Sequence, residues 1–402
     1  MRDALSLLVP QAELLVLPAW DCLPFDRLSP QGSLVGQRIE TLARLLSLLQ
    51  RADADRSVAP MVLLTTVNAF IQRVPPQSYF ADSALSLSPG DEIGPAGLAS
   101  VVGNLNYLRT DTVRETGEFA VRGGIVDIFP PGSPTPVRLD FFGDELETIR
   151  SFDAASQLGG EKYPQLTLRP VAEFQLDAET IERFRSGYLV TFGAQASRDS
   201  LYESVSAGRM HPGMEHWLPL FHANLHTVSD YCPDWHIYLD HEADAAIAAR
   251  FDQIMDFHAA RRESDVEEGS SPYRPLSADQ LYLGRDEADQ LLASACRLYQ
   301  FAPTSLDAAA TSDAGGRAGL VFARSRAAGT STIAEVAGAI LAERNAANRP
   351  ILLTVSSEGA AARLEDLLIP YLGAGGLTTI DRPDVIAGPG VYLMQWGLET
   401  GF

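Results

Sequence analysis

The chain has 402 residues, 46% of them apolar, and a net charge of -21 from 52 acidic and 31 basic side chains. That length supports about two to four hydrophobic cores, and no apolar run reaches the roughly 20 residues that cross a bilayer. So large an acidic surplus excludes strong unassisted binding of nucleic acid by the whole chain, because neutralising phosphates takes a basic face. Cys22, Cys232 and Cys296 stand far apart in sequence, too few for a four-thiolate zinc site, and read as reduced thiols. The opening lacks the basic start and the cleavage site of a signal peptide, so the cytoplasm is the expected compartment and no membrane partner is expected.

In chain order, "ELLVLPAWD" predicts a short strand ending near Trp20-Asp21. "LVGQRIETLARLLSLLQ" follows a turn-rich connection and carries Leu34, Ile39, Leu42, Leu45 and Leu46 near helical spacing. Met61 to Thr65 reads as a buried strand running into a short helix before Pro75-Pro76. From about Leu85 the pattern changes to a strand, a turn and a short helix, and then to a β meander over "GEFAVRGGIVDIFPPGSPTPVRLDFFGDELETIRSFD", Gly117 to Asp153. Within it Val137, Leu139 and Phe141 alternate with Arg138, Asp140 and Phe142, which places the second set together on the other face of a strand.

Residues 170 to about 300 are expected to return to α/β character. "DAETIERFRSGYLVTFG" is helical at its start, and "WHIYLDHEADAAIAARFDQIMDFHAARR" is a strand leading into a long helix. After the linker "PTSLDAAATSDAGGRAG" come the helix "TIAEVAGAILAERNAA", the strand "RPILLTVSS", the helix "EGAAARLEDLLIPYL" and a strand near "GVYLMQWG".

Local motifs for catalysis are missing. The one lysine, Lys162, lies in "GGEKYP", so no Gly-Lys-Ser/Thr phosphate loop exists in these residues, and Gly373, Gly375 and Gly376 read as turn glycines. Asp240, Glu242 and Asp244 resemble a metal-coordinating cluster only superficially and read as the N-terminal end of a helix. His211, His216, His222 and His226 fall in "HPGMEHWLPLFHANLH", an irregular aromatic stretch expected to pack around Trp217 and Phe221 rather than to bind zinc. No catalytic, cofactor-binding or metal-binding residue is assigned.

Arg138 and Phe142 share a strand face and Arg122 sits on a neighbouring strand. Arginines beside an exposed aromatic are the composition of a protein-binding hot spot. In the alternative, Arg138 pairs with Asp140 or Glu145 on a solvated face and Phe142 is core. Phosphate contact by Arg122 and Arg138 is opposed by Asp127, Asp140, Asp144, Glu145 and Glu147.

The meander resembles the amino-terminal region of the bacterial transcription-repair coupling factor family, Mfd. The elements that carry the resemblance are Gly117 to Gly124, Asp127 to Gly132, Arg138 to Glu145, Ile149 to Asp153, and Gln157. Further likeness lies in "LPAWDCLPFDRLSPQ", "LLTTVNAFIQRVPP", "LRPVAEF" and "MEHWLPLF". The resemblance implies a UvrB-like, degenerate helicase-type α/β domain over residues 1–82 and 170–305, interrupted by a UvrA-binding α+β insert over 83–169. A second small α/β domain is expected over 306–402, in a chain truncated both at its start and before the polymerase-binding and translocase domains. It further implies that Arg122, Arg138 and Phe142 bind UvrA, the damage-sensing ATPase. Cofactors are expected to be none here; ATP and Mg belong to the intact family member, an ATP-dependent DNA translocase that displaces stalled RNA polymerase from double-stranded DNA. The alternative is a UvrB-like protein acting directly on damaged DNA, disfavoured by the acidic charge and the missing phosphate loop.

Overall fold

The structure, a computed structural model, describes residues 2–50, 60–82, 84–263, 272–299, 311–315, 332–347, 349–373, 375–386 and 388–397. It is a mixed α/β fold of several small sheets. The chain divides into two compact units, Leu15–Gln300, and Met1–Leu14 with Phe301–Phe402. Helix α1 (Arg2–Leu8) belongs to the second of these.

Strand β1 (Glu13–Leu17), of which Leu15–Leu17 belong to the larger unit, lies beside β2 (Met61–Thr65), with α2 (Gly32–Leu49) between them in sequence. The helical spacing expected for α2 is realised at Ile39, Leu42, Leu45 and Leu46, which are buried against Leu17, Phe80 and Tyr231, whereas at the start of the helix Val35 is buried and Leu34 only half-buried. Helix α3 (Val67–Ile71) starts at Thr66, whose hydroxyl accepts the Ala69 N–H at 3.3 Å, and α4 (Gln77–Asp82) follows Pro75-Pro76.

The insert begins with β3 (Leu85–Leu87), which pairs antiparallel with β10 (Leu166–Leu168), so the two ends of the segment leave together. Between them lie α5 (Gly94–Asn104) and a six-stranded sheet in sequence order: β4 (Leu108–Arg109), β5 (Glu118–Arg122), β6 (Ile125–Ile128), β7 (Val137–Phe142), β8 (Glu145–Phe152) and β9 (Gly159–Lys162). All neighbours are antiparallel except β4 and β5. The inner face packs Phe119, Val126, Leu139 and Ile149 against Leu98 and Val102 of α5.

Helix α2 also anchors this insert. Just past its end Glu173 is fully buried with Arg38 and forms an ion pair at 2.5 Å, with Arg38 Nη1 donating to the Pro18 carbonyl at 2.8 Å. A Cβ on Gly36 would stand 2.6 Å from the Pro131 ring, so only glycine admits the turn after β6 this close to the helix.

Beyond the insert the expected α/β pattern gives way to a mainly helical segment. Helix α6 (Ala178–Phe192) runs further than its polar start suggests, capped by reciprocal bonds between Asp177 and Thr180. Then come α7 (Ser200–Ser206), a 3-10 turn at Met214–Leu220, β11 (Tyr238–Leu239), α8 (Ala243–Glu263), α9 (Ala278–Leu281), α10 (Arg285–Leu292) and β12 (Cys296–Arg297). The expected strand before α8 shrinks to two residues, Tyr238 and Leu239, whose ladder partner among the described residues is the equally short β12. The core here is aromatic: Phe174 and Phe184 stack on Phe221 at 4.7 and 5.0 Å, with Trp20, Phe25, Tyr188 and Trp217 in the same cluster.

The smaller unit contains α11 (Thr332–Ala347), β13 (Pro350–Val355), α12 (Glu358–Leu372), β14 (Thr378–Ile380) and β15 (Gly390–Gln395), in a parallel sheet ordered β13-β15-β14. Ala337, Ile340, Leu368 and Val391 form its core. Most of the expected linker at 303–319 lies outside the described residues.

Candidate functional site

Two tight hairpins place the candidate residues. Arg122 pairs with Ile125 across a two-residue loop, Gly123-Gly124. Gly123 takes φ +60, and a Cβ on Gly124 would meet the Phe141 carbonyl oxygen at 2.9 Å, so both glycines are required. Phe142 pairs with Glu145 around Gly143-Asp144. Because Ile125 pairs with Asp140, both hairpin tips point to the same end of the sheet. Arg122 and Phe142 therefore reach one rim, with only β6 between their strands, about two strand spacings or 10 Å apart.

The expected alternation holds along β7: Val137, Leu139 and Phe141 are buried, Arg138 and Asp140 are half-buried, and Phe142 is 76% exposed. Phe142 is not core.

Asp127 organises the face. It lies directly opposite Arg138, and its side chain is 1% exposed. Arg138 grips it through its Nε/Nη2 edge, Nε to Oδ1 at 2.6 Å and Nη2 to Oδ2 at 2.9 Å. Arg122 Nη2 donates to the same Oδ2 at 2.9 Å. Arg138 also reaches the Gln157 carbonyl and side-chain oxygens, at 3.5 and 3.3 Å, and lies 4.6 Å over the Phe152 ring. The bond to Asp127 raises the Arg138 pKa further, against the opposing effect of burial. The Arg138 side chain is only 16% exposed and that of Arg122 49%.

Arg138 also sits opposite Arg150, a like-charge juxtaposition that would destabilise the ladder on its own. Each guanidinium has its own carboxylate. Arg150 donates to Asp140 at 3.2 Å, and Thr148 donates to the same Asp140 at 2.7 Å. Pairing of Arg138 with Asp140 or Glu145 is thus replaced by pairing with Asp127. Register counted from both hairpins places Asp127 two ladder pairs below Arg122 and directly opposite Arg138.

The other sequence candidates go to separate partners. His216 Nε2 accepts the Asp26 N–H at 3.1 Å, His222 Nε2 donates to the Glu173 carbonyl at 2.7 Å, and burial lowers each to about 4. His211 Nδ1 lies 2.9 Å from the Pro212 carbonyl, and His226 forms a backbone bridge with Val74. Asp240 accepts the Ala243 N–H on its carbonyl at 3.0 Å at the start of α8, and Asp244 takes both arms of Arg297 at 2.9 and 3.1 Å. Among the described residues no group of three or more His, Cys, Asp or Glu is arranged to hold a metal, and no helix is long and apolar enough to cross a membrane.

Residues 85–174, which carry this face, match the family model of the UvrB interaction domain. The chain is also similar to transcription-repair-coupling factors. It is 32% identical over 285 residues to that of Haemophilus influenzae, covering 70% of this chain and 24% of the relative. With the Escherichia coli protein the identity is 35% over 273 residues, 67% of this chain and 22% of the relative. With that of Mycobacterium tuberculosis it is 33% over 229 residues, 54% and 18%. The matched stretch thus spans less than a quarter of the length of these curated relatives.

Proposed function

We propose that the chain acts in transcription-coupled nucleotide excision repair by recruiting UvrA through its insert, residues 83–169. Arg122, Arg138 and Phe142 form the recruiting face. The observation that carries this reading is their shared outward sheet face inside the segment that matches the UvrB interaction domain. Guanidinium groups beside an exposed ring suit a partner surface with carboxylates around an apolar recess. The flanking segments, 1–82 and 170–305, serve as a UvrB-like frame with degenerate helicase-type character, followed by the small α/β domain at 306–402. The role of these residues is holding rather than turnover. In the intact protein, displacement of stalled RNA polymerase along double-stranded DNA with ATP falls to other domains. This work takes place in the cytoplasm.

The test is calorimetric titration of the purified chain with UvrA, beside a folded variant carrying Arg122→Ala, Arg138→Ala and Phe142→Ala. Hot-spot truncations cost about 2 kcal/mol or more each, so binding should fall well over tenfold. A folded wild-type chain that does not bind UvrA refutes the proposal.

A further inference from the structure

The three residues of the face are not equivalent. The Nε/Nη2 edge of the Arg138 guanidinium is taken by Asp127, its Nη1/Nη2 end is turned to Gln157 at 3.5 and 3.3 Å, and its flat face lies over Phe152. Arg122 makes one bond to Asp127 and leaves about half of its side chain exposed at the rim where Phe142 also projects. A guanidinium carries five N–H donors, so Arg122 retains a free edge while Arg138 does not offer a matching one.

We propose that Asp127 is a positioning residue of the recruiting face: with Arg138 as its strut it holds Arg122 in place, and Arg122 and Phe142 alone make the partner contact. This rests on the reading that the face recruits UvrA. The buried carboxylate fixes one end of the Arg122 guanidinium, which removes rotamer freedom before binding rather than during it. The partner group that fits is a single carboxylate next to an apolar recess, about two strand spacings away.

The experiment combines mutation with arginine side-chain NMR on the full chain titrated with UvrA. Asp127→Asn should weaken binding at least tenfold. Arg122→Ala should do the same, and the double variant Arg122→Ala/Asp127→Asn should bind within about twofold of Arg122→Ala, because Asp127 acts through Arg122. In the wild-type chain the Nε–Hε signal of Arg122 should shift on titration while that of Arg138 stays in place. This second readout needs no substitution, so it stands even where Asp127→Asn fails to fold. Equal shifts of both arginines, or a folded Asp127→Asn chain that binds as wild type while Arg122→Ala does not, overturns the positioning role and leaves the recruiting face intact. If Arg122→Ala and Phe142→Ala both bind as wild type, the recruiting face itself is wrong and the positioning role falls with it.

Discussion

Replacing Phe142 by alanine separates a binding role from a structural one. The ring is 76% exposed and ends a strand whose neighbouring side chain, Phe141, fills the core instead. A phenylalanine side chain offers roughly 200 Å², so about 150 Å² is free to be covered by a partner. At about 25 cal/mol per Å², complete burial would contribute about 4 kcal/mol. An alanine retains a small part of this, and incomplete burial removes more, so a loss of about 2–3 kcal/mol is expected, a 30- to 150-fold weaker Kd. The free chain should hardly notice, with stability within about 0.5 kcal/mol of wild type. Calorimetric titration with UvrA and a thermal melt of each protein give both quantities. A Kd changed less than threefold would mean that the ring is not an anchor. A clear fall in melting temperature would mean that it packs within the fold.

Arg38→Met should destabilise the larger unit by about 3–5 kcal/mol in denaturant unfolding, because it leaves Glu173 charged and buried; adding Glu173→Leu should restore much of the loss. Gly36→Ala should lower stability by about 1 kcal/mol net, since a Cβ 2.6 Å from the Pro131 ring outweighs the helix gain of about 1 kcal/mol, and thermal melts should register the difference. Burial lifts the Glu215 carboxyl from its ordinary 4.5 to about 7, so the folded chain holds a proton that the unfolded chain has lost between those values; that contribution to stability is complete below about 4.5 and is lost as pH rises through 7. His216 and His222, lowered from 6.5 to about 4, act in the opposite sense: their contribution is complete above 6.5 and is lost as pH falls through 4. Melts of Glu215→Gln should therefore gain on wild type steadily as pH is raised from about 5 to 7.5, and a constant difference would refute the assignment.

Periodicity made much of the fold legible. The buried face of α2 follows from the spacing of Ile39, Leu42 and Leu46, and the outward face of β7 from the alternation of Val137, Leu139 and Phe141. The exposure of Phe142 did not follow from alternation alone, because a second aromatic after Phe141 fits either face until the core is seen to be filled by its neighbour. Asp127 was hidden for a different reason. Its partners lie on the strands to either side, at separations of 5 and 11 residues, so the ion pairs exist only once both hairpin registers are set. The segment after the insert misled through composition: apolar runs there pack as an aromatic cluster among helices, with ring stacking that has no periodic signature.

The recruiting face and its attachment to the rest of the chain have separate physical bases. The sheet closes its own core around Phe119, Val126, Leu139 and Ile149, against α5, using residues within 85–174 alone. The charged network of Asp127, Arg122 and Arg138 lies on the opposite side of the same strands, also without help from the α/β frame. Attachment to α2 uses the Gly36–Pro131 approach and Arg169 on Glu40 at 2.9 Å, with the buried Arg38–Glu173 pair holding the segment just past the insert. Weakening that attachment should therefore lower stability while leaving the geometry of Arg122 and Phe142 as it is. Changes at Asp127 should alter what the rim presents while the joint to α2 stays closed.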